Sequence, residues 1–278
     1  MKLRRVTAAS ATVLALALAA TACGSGDDSD GSSGGDDEKI TIGIKFDQPG
    51  LGQKTPQGFA GFDVDVATYV AEKLGYSEDQ ISWKESKSAD RETMLQRGDV
   101  DFIAATYSIT PERAEKVDFA GPYLLAHQDV LISADDDSIE KPEDLKGKNL
   151  CSVVGSTSAQ NVNDKLGLEA NLQEYPTYSA CLGGLENGAI DALTTDDSIL
   201  AGYAAQDQFA GKFKLAGFDM TNENYGIGVK KGSDLKEKID EALEAMVADG
   251  SWDKAVEDNF GPADYDNEPA PAIGDVKS

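Results

Sequence analysis

Arg113 is the first residue whose position suggests a chemical role. It ends the segment 106–113, in which Thr110 and Pro111 predict the N-cap and first residue of a short helix. A cation in the first turn of a helix opposes the helix dipole, at a cost of about 0.3 kcal/mol. A bound carboxylate would reverse this cost, because free backbone N–H groups and a bidentate guanidinium would meet at one point. The alternative is a solvated arginine paired with Glu112.

A second segment suited to an anion is the turn at residues 155–158, Gly-Ser-Thr-Ser, between a predicted buried strand and a helix. Its N–H groups and hydroxyls could surround an anion, although plain helix capping explains the same residues. Asp196 and Asp197 follow another predicted strand, at the carboxyl end where α/β sheets bind ligands. One of these carboxylates could hold an ammonium group while the other caps the next helix.

Other kinds of chemistry lack the residues that they need. His127 is the only histidine, which argues against a histidine-based triad and against a histidine-rich metal site. The sequence contains no G-x-S-x-G elbow and no P-loop. The formal net charge of −25 argues against nucleic acid and against an anionic membrane surface as partners. Abundant carboxylates leave a metal site or an acid–base pair open, but we expect no catalytic residue, metal or cofactor.

The first 22 residues have the features of a signal peptide. Lys2, Arg4 and Arg5 precede an apolar run at residues 11–20, and small residues then lead to Cys23. The run is too short for an ordinary membrane-spanning helix, and the alternative of a buried helix would leave it nothing to pack against. Residues 24–38 are Gly, Ser, Asp and one Glu, which predicts a flexible tether.

Strand-like and helical segments alternate through the rest of the chain. Residues 40–44 alternate like a strand, and Val66, Val70 and Leu74 have the spacing of a helix at about 63–74. Further strands are predicted at 100–105, 150–154, 190–194 and 225–229, and further helices at about 158–166, 180–187, 197–205, 235–248 and 251–259. This order predicts an α/β fold with mainly parallel sheets. The Pro-, Asp- and Ala-rich end predicts a loose tail at residues 266–278.

A longer pattern resembles a known family. GFDVDV at residues 61–66, followed by Val70, Ala71 and Leu74, resembles the signature of the polar amino acid-binding family of extracellular solute-binding proteins, family 3. The resemblance covers about residues 40–261 and includes DFAGPY at 118–123, TTDD at 194–197 and YGIGVKKGS from 225. Within the family, KFDQPGLG at 45–52 and RETMLQRGDVDFIAATYSIT at 91–110 resemble the glutamate-binding lipoproteins of ABC transporters.

The resemblance implies a two-lobed type II periplasmic-binding-protein fold, with two interlobe crossovers and the ligand between the lobes. Lobe one would comprise residues 38–125 and 226–265, and lobe two residues 126–225. The hinges would lie near residues 124–128 and 223–226.

Cys23 resembles the acylated cysteine of bacterial lipoproteins, although Ala20 stands where their lipobox usually has Leu. If Cys23 is acylated, Cys151 and Cys181 remain as an even pair in an oxidising compartment. This favours a disulfide over two separate buried thiols, and the pair also resembles the glutamate-binding branch. We therefore expect a protein on the extracytoplasmic face of the cell membrane, attached only through its lipid.

The resemblance also implies how an amino acid would be held by its α-groups. Arg113, with Ser108 and the backbone near Thr106, would hold the α-carboxylate, and Asp196 would take the α-ammonium. The site would be closed from lobe two by Gly155, Ser156 and Thr157.

A second set of residues would hold the ligand side chain. Lys45 and Arg91 match positions that are basic in glutamate and aspartate binders, so they would bind the side-chain carboxylate. Phe46 would pack on the ligand stem, and Thr177 and Tyr178 are further candidates.

These expectations describe a monomeric binding protein that delivers L-glutamate, or aspartate, to an ABC permease. One alternative is a receptor whose ligand-bound form signals to a membrane protein, which the sequence does not separate from transport. The other is a dehydratase on the same fold, against which the single histidine counts.

Overall fold

The structure, a computed structural model, describes residues 39–277 apart from the side chain of Asn163. The predicted signal peptide, Cys23 and tether therefore lie outside the described residues. The strands within the described part are β1 (Ile40–Ile44), β2 (Asp47–Gln48), β3 (Gly52–Thr55), β4 (Gly58–Ala60), β5 (Ile81–Glu85), β6 (Phe102–Ile103), β7 (Val117–Ser133), β8 (Asn149–Val153), β9 (Asn171–Tyr175), β10 (Ala192–Asp196), β11 (Phe213–Leu215) and β12 (Asn222–Lys230). The α-helices there are α1 (Phe62–Lys73), α2 (Arg91–Arg97), α3 (Pro111–Ala114), α4 (Thr157–Asp164), α5 (Tyr178–Glu186), α6 (Asp197–Ala204), α7 (Leu235–Ala248) and α8 (Ser251–Phe260).

Parallel strands lie on both sides of a pair of crossing strands. The strand order of the large sheet is β5-β1-β6-β12-β7-β10-β8-β9, and β11 also pairs with β7. β5, β1 and β6 are parallel to one another, as are β10, β8 and β9. Every antiparallel pair in this sheet involves β7 or β12. The predicted α/β fold is confirmed.

β7 and β12 connect two parts of the molecule, which we call lobe one (around β1, β5 and β6) and lobe two (around β8, β9 and β10). β7 changes its partner between His127, which pairs with Asn222 of β12, and Gln128, which pairs with Asp196 of β10. β12 returns from this point and reaches β6 at Gly228. The two crossovers are therefore strands that pair with each other.

Helix α1 shows how the predicted apolar spacing forms the core of lobe one. Phe62, Val66 and Val70 are fully buried. The Phe62 ring packs edge-on against Trp252 of α8, with centroids 5.9 Å apart, and against Phe260 at 5.1 Å. Since α1 packs on both C-terminal helices, the end of the chain completes the core that its beginning starts.

The predicted disulfide between Cys151 and Cys181 is confirmed. It joins β8 to α5, with Cα atoms 5.7 Å apart, and both residues are fully buried.

Replacing both cysteines by serine should lower the free energy of unfolding by about 3–4 kcal/mol, because a cross-link between two residues that are 30 positions apart restricts the unfolded chain. Urea unfolding of the oxidised wild type and the double variant measures the difference. Reducing agent should lower the stability of the wild type and leave the double variant unchanged. Equal stabilities of the two proteins would contradict the expectation.

The C-terminal segment, expected from its composition to be loose, instead packs on the folded part. The Lys277 N–H donates to Asn224 Oδ1 and the Asn224 amide donates to the Lys277 carbonyl, both at 2.8 Å. Ala270 and Ile273 pack against the main core. The few apolar residues of the segment thus pack on a surface of the folded part, which the composition of the segment alone does not predict. None of the helices in residues 39–277 is long and apolar enough to cross a membrane.

Candidate functional site

The carboxyl ends of the parallel strands of both lobes meet at one cleft. Lys45 directly follows β1 and Thr106 lies in the loop after β6 in lobe one, while Gly155 follows β8 and Asp196 ends β10 in lobe two. Loops at the carboxyl ends of parallel strands form the ligand crevices of α/β folds. The fold therefore assembles most of the residues singled out from the sequence.

Arg113 connects the two sides of this cleft. Thr110 caps α3 as predicted, accepting a hydrogen bond of 3.2 Å from the Arg113 N–H. The guanidinium is buried and donates to the Ser108 carbonyl at 2.8 Å and, across the cleft, to the Gly155 carbonyl at 3.1 Å. Its Nε lies 3.6 Å from Glu92 Oε1, so the ion pair is with Glu92 and not with Glu112. Burial, and then nearby Arg91, lower the pKa of Arg113 to about 10.

Two further buried cations lie close to Arg113. Arg91, at the start of α2, is 2% exposed, and its Nη1 donates to the carbonyls of Ala105 at 3.0 Å and Thr106 at 3.3 Å. The Arg91 Nε is buried without a hydrogen-bond partner. Lys45 donates to Ser88 Oγ at 2.7 Å. Burial and then the charge of Arg91 hold the Lys45 pKa well below its usual range. Buried like charges are costly unless paired, so this group is suited to anions.

Carboxylates form the opposite side of the cleft. Asp196 is buried and accepts hydrogen bonds from the Tyr225 hydroxyl at 2.5 Å and from Ser158 Oγ at 3.3 Å. Burial, followed by the nearby Glu223 carboxylate, raises the Asp196 pKa well above its usual range. Glu223 is itself buried and accepts from Thr157 Oγ1 at 2.8 Å. Sequence reasoning missed Glu223 and the role of Tyr225, although Tyr225 begins the YGIGVKKGS motif.

The loop after β8 makes a close approach to lobe one. Gly155 has a φ of 76°, and a Cβ there would lie 2.8 Å from Ala89 Cα, so the approach requires glycine. Ser156 caps α4, accepting from the Ala159 N–H at 3.0 Å, which is the plain capping role. Thr157 Oγ1 lies 3.4 Å from Ser108 Oγ of lobe one. The loop therefore joins the lobes as well as capping a helix.

The backbone near Thr106 was expected to bind the α-carboxylate of the ligand, but the Thr106 N–H already has a partner within the protein. It donates to Asp63 Oδ2 at 2.9 Å, and the Tyr123 hydroxyl donates to the other oxygen of Asp63 at 2.6 Å. Burial raises the Asp63 pKa to about 6. Asp63 thus holds the strained Thr106, whose φ is 46°, in place.

The remaining candidates from the sequence are Phe46, Thr177 and Tyr178. The Phe46 ring packs on Phe59, with centroids 4.9 Å apart. Thr177 caps α5 by accepting from the Ala180 N–H at 3.3 Å. Burial, and then the nearby Asp196 carboxylate, raise the pKa of Tyr178 to about 12. Tyr178 therefore lies within the carboxylate side of the cleft.

A second contact between the lobes lies outside the charged cleft. Tyr203 donates to the Asp47 carbonyl at 2.5 Å, and the Ser179 hydroxyl donates to the Asp47 carboxylate at 2.9 Å. A Cβ on Gly202 would lie 2.0 Å from the Pro49 carbonyl oxygen, so the backbones touch here. β2 of lobe one and α5 and α6 of lobe two are therefore in direct contact.

Residues 39–277 contain no group of three or more His, Cys, Asp or Glu residues arranged to hold a metal ion. The polar groups of the cleft are instead three cations, of which Arg113 is paired with Glu92, and the carboxylates Asp196 and Glu223 on the opposite side. This arrangement complements an ion that carries charges of both signs.

Comparison with known proteins places the chain in a family. Residues 40–262 match the family model of bacterial extracellular solute-binding proteins, family 3. The chain is 47% identical to the glutamate-binding protein GluB of Corynebacterium efficiens, over 94% of this chain and 92% of that protein. It is 40% identical to the ABC transporter glutamine-binding protein GlnH of Bacillus subtilis, over 79% and 80% of the two chains. An ancestral arginine-binding protein bound to glutamine is 36% identical, with a TM-score of 0.74, covering 80% of this chain and 98% of that one. The chain therefore belongs to the bacterial extracellular solute-binding proteins of family 3.

Proposed function

We propose that this protein binds L-glutamate between its two lobes and delivers it to an ABC permease. The observation that carries the proposal is the buried group of Lys45, Arg91 and Arg113 opposite the buried Asp196. Glutamate at neutral pH has two carboxylates and one ammonium, so each of its charges would meet an opposite charge in the cleft. The names of the relatives GluB and GlnH support an amino acid as the ligand.

Each charge of the ligand has a proposed partner. Arg113, beside Ser108, takes the α-carboxylate, and Asp196 takes the α-ammonium. Lys45 and Arg91 take the side-chain carboxylate, for which the unpartnered Nε of Arg91 is an available donor. Burial disfavours the charged forms of Lys45, Arg113 and Asp196. A ligand that brings a charge of opposite sign to each of them therefore stabilises the site when it binds.

Isothermal titration of the full chain with glutamate, aspartate, glutamine and arginine tests the ligand. Glutamate should bind most tightly. The neutral side chain of glutamine would leave the positive charges of Lys45 and Arg91 without an anion, and the side chain of arginine would place a third cation beside them. Tighter binding of glutamine, or no binding of any amino acid, would contradict the proposal.

The two-lobed fold supports delivery to a permease, because a permease could distinguish a closed form from an open one. We propose lobe limits of 38–125 plus 226–265 and 126–225, with the hinges at the paired crossovers of β7 and β12. Deleting the gene should abolish uptake of glutamate at low concentration. Unchanged uptake together with a lost signalling response would favour the receptor alternative.

Asp47→Ala should weaken glutamate binding by about 3- to 10-fold without touching the ligand. The substitution removes side-chain hydrogen bonds from Ser179 that join the two lobes, and each such bond contributes about 1 kcal/mol. In an open form Asp47 would be solvated, so its loss disfavours closure, and it also removes a carboxylate that favours the charged form of Lys45. Calorimetry measures the affinity, and Asp79→Ala, at an exposed aspartate outside the cleft, is the control. Unchanged affinity of Asp47→Ala would show that this contact does not contribute to closure.

Attachment to the membrane is proposed at Cys23, which lies outside the described residues. Cys23→Ser should move the protein from the membrane fraction to the soluble fraction, because the tether has no apolar residue to bind lipid. Fractionation and intact mass of the mature protein measure this. An unmodified Cys23 in the mature wild type would contradict the proposal.

A further inference from the structure

Tyr107 contacts both arginines of the cleft through its aromatic ring. Its side chain is fully buried in the loop between β6 and α3. The Arg91 Cζ lies over the ring at 4.1 Å from its centroid, and the Arg113 Cζ lies over the ring at 5.1 Å. A single ring therefore contacts the two guanidinium groups to which we assign different carboxylates of the ligand.

The Tyr107 ring is itself held rigidly by lobe one. The ring of Phe119 packs edge-on against it, with centroids 4.7 Å apart. On the neighbouring strand β12, a Cβ at Gly228 would lie 2.7 Å from a ring carbon of Tyr107. Close packing on these sides prevents the ring from shifting without moving β7 or β12. The ring is thus a fixed surface for both guanidinium groups.

The backbone on either side of Tyr107 holds the same two arginines. The carbonyls of Ala105 and Thr106 accept from Arg91, and the carbonyl of Ser108 accepts from Arg113. These hydrogen bonds occupy some of the guanidinium N–H groups of the two arginines, whereas contact with the Tyr107 ring occupies none of them. A guanidinium that stacks on an aromatic face keeps its in-plane donors for a ligand, so the ring adds rigidity without reducing binding capacity.

We propose that Tyr107 is a positioning residue that sets the spacing between Arg91 and Arg113 and thereby selects the length of the dicarboxylate ligand. The inference rests on the proposed function and extends it. Glutamate and aspartate carry the same charges and differ by one methylene between their carboxylates. Two cations fixed to one ring cannot adjust independently to the shorter ligand. Rigid spacing therefore favours one of the two, whereas mobile arginines would accept both.

Three variants of the full chain test this proposal by calorimetry with glutamate and aspartate. Tyr107→Phe keeps the ring and should bind glutamate within about 2-fold of the wild type. Tyr107→Leu removes the ring that holds both guanidinium groups in place for the ligand and should weaken glutamate binding by up to about 30-fold, the full value of a desolvated cation–π contact. It should also narrow the preference for glutamate over aspartate. Phe102→Leu, at a fully buried aromatic of β6, controls for loss of core packing and should keep both the affinity and the preference.

A second measurement does not depend on the folding of the leucine variant. Phenylalanines with one, two and three ring fluorines, placed at position 107, keep the shape while progressively removing the negative charge of the ring face. Glutamate affinity should fall with each fluorine, because the attraction of a cation depends on that charge. In the Arg91→Ala background this decrease should be smaller, since one of the two contacts is already absent.

The outcomes separate this inference from the proposed function. A wild type that binds no amino acid would refute the proposed function. A wild type that binds glutamate, with a Tyr107→Leu variant that keeps its preference for glutamate over aspartate, would refute only the role of Tyr107. A flat response to fluorination would refute it equally.

Discussion

Arg113→Ala is expected to abolish the binding of every amino acid, whatever its side chain. The guanidinium is buried, and we assign it to the α-carboxylate, which all amino acids share. Loss of one partner of a desolvated, hydrogen-bonded charge pair costs about 2–5 kcal/mol. This corresponds to a loss of affinity of about 30- to several-thousand-fold. The variant also loses the bond to the Gly155 carbonyl across the cleft, so closure of the lobes is weakened as well.

Two further variants test whether the loss of binding is due to the guanidinium of Arg113. Arg113→Lys keeps the charge but not the planar fork, so its affinity should lie between those of the wild type and the alanine variant. Arg97→Ala removes an exposed arginine from the end of α2 and should leave binding unchanged. Calorimetry with glutamate and glutamine measures all of them, and thermal unfolding shows whether each remains folded. A folded Arg113→Ala protein that binds either ligand within a few-fold of the wild type would overturn the assignment.

Helices and short strands could be predicted where their sequence pattern lies within the segment itself. The limits of α7 were predicted as they are observed, and those of α1 within one residue, because apolar spacing and flanking residues are properties of the segment itself. β7, a strand of 17 residues, was missed. Gly121 and Pro122 interrupt its pattern, and residues of this kind usually exclude a central strand. Its length is set by pairing with β12 and then with β10, which are distant in sequence.

The same distinction applies to the site. Arg113 was identified because Thr110 and Pro111 predict the helix that carries it. Asp63 lies in the first turn of α1, where an acid is ordinary, yet it is fully buried and accepts from the Thr106 N–H, 43 residues away. Tyr107 gave no signal, because a tyrosine after a short strand is most simply explained as core. Contacts between distant residues are what the sequence alone could not provide.

Selectivity for glutamate is expected to depend on Arg91 and, to a smaller extent, on Lys45. A neutral side chain would leave these cations unpaired in the closed cleft. Arg91→Ala should therefore weaken glutamate binding by about 30-fold or more, within the cost of losing a buried charge partner. Glutamine binding should weaken much less, so the preference for glutamate over glutamine should narrow. This pattern differs from that of Arg113→Ala, which should lose both ligands.

Lys45→Ala should change the preference in the same direction by a smaller factor. An ammonium lacks the planar fork that grips a carboxylate at two points, and burial holds the Lys45 pKa well below its usual range, which disfavours its charged form. Calorimetric affinities for glutamate and glutamine in the wild type, Arg91→Ala, Lys45→Ala and the exposed control Arg97→Ala give the ratios directly. An Arg91→Ala variant that loses both ligands equally would show that Arg91 supports the α-carboxylate and that the side-chain pocket lies elsewhere.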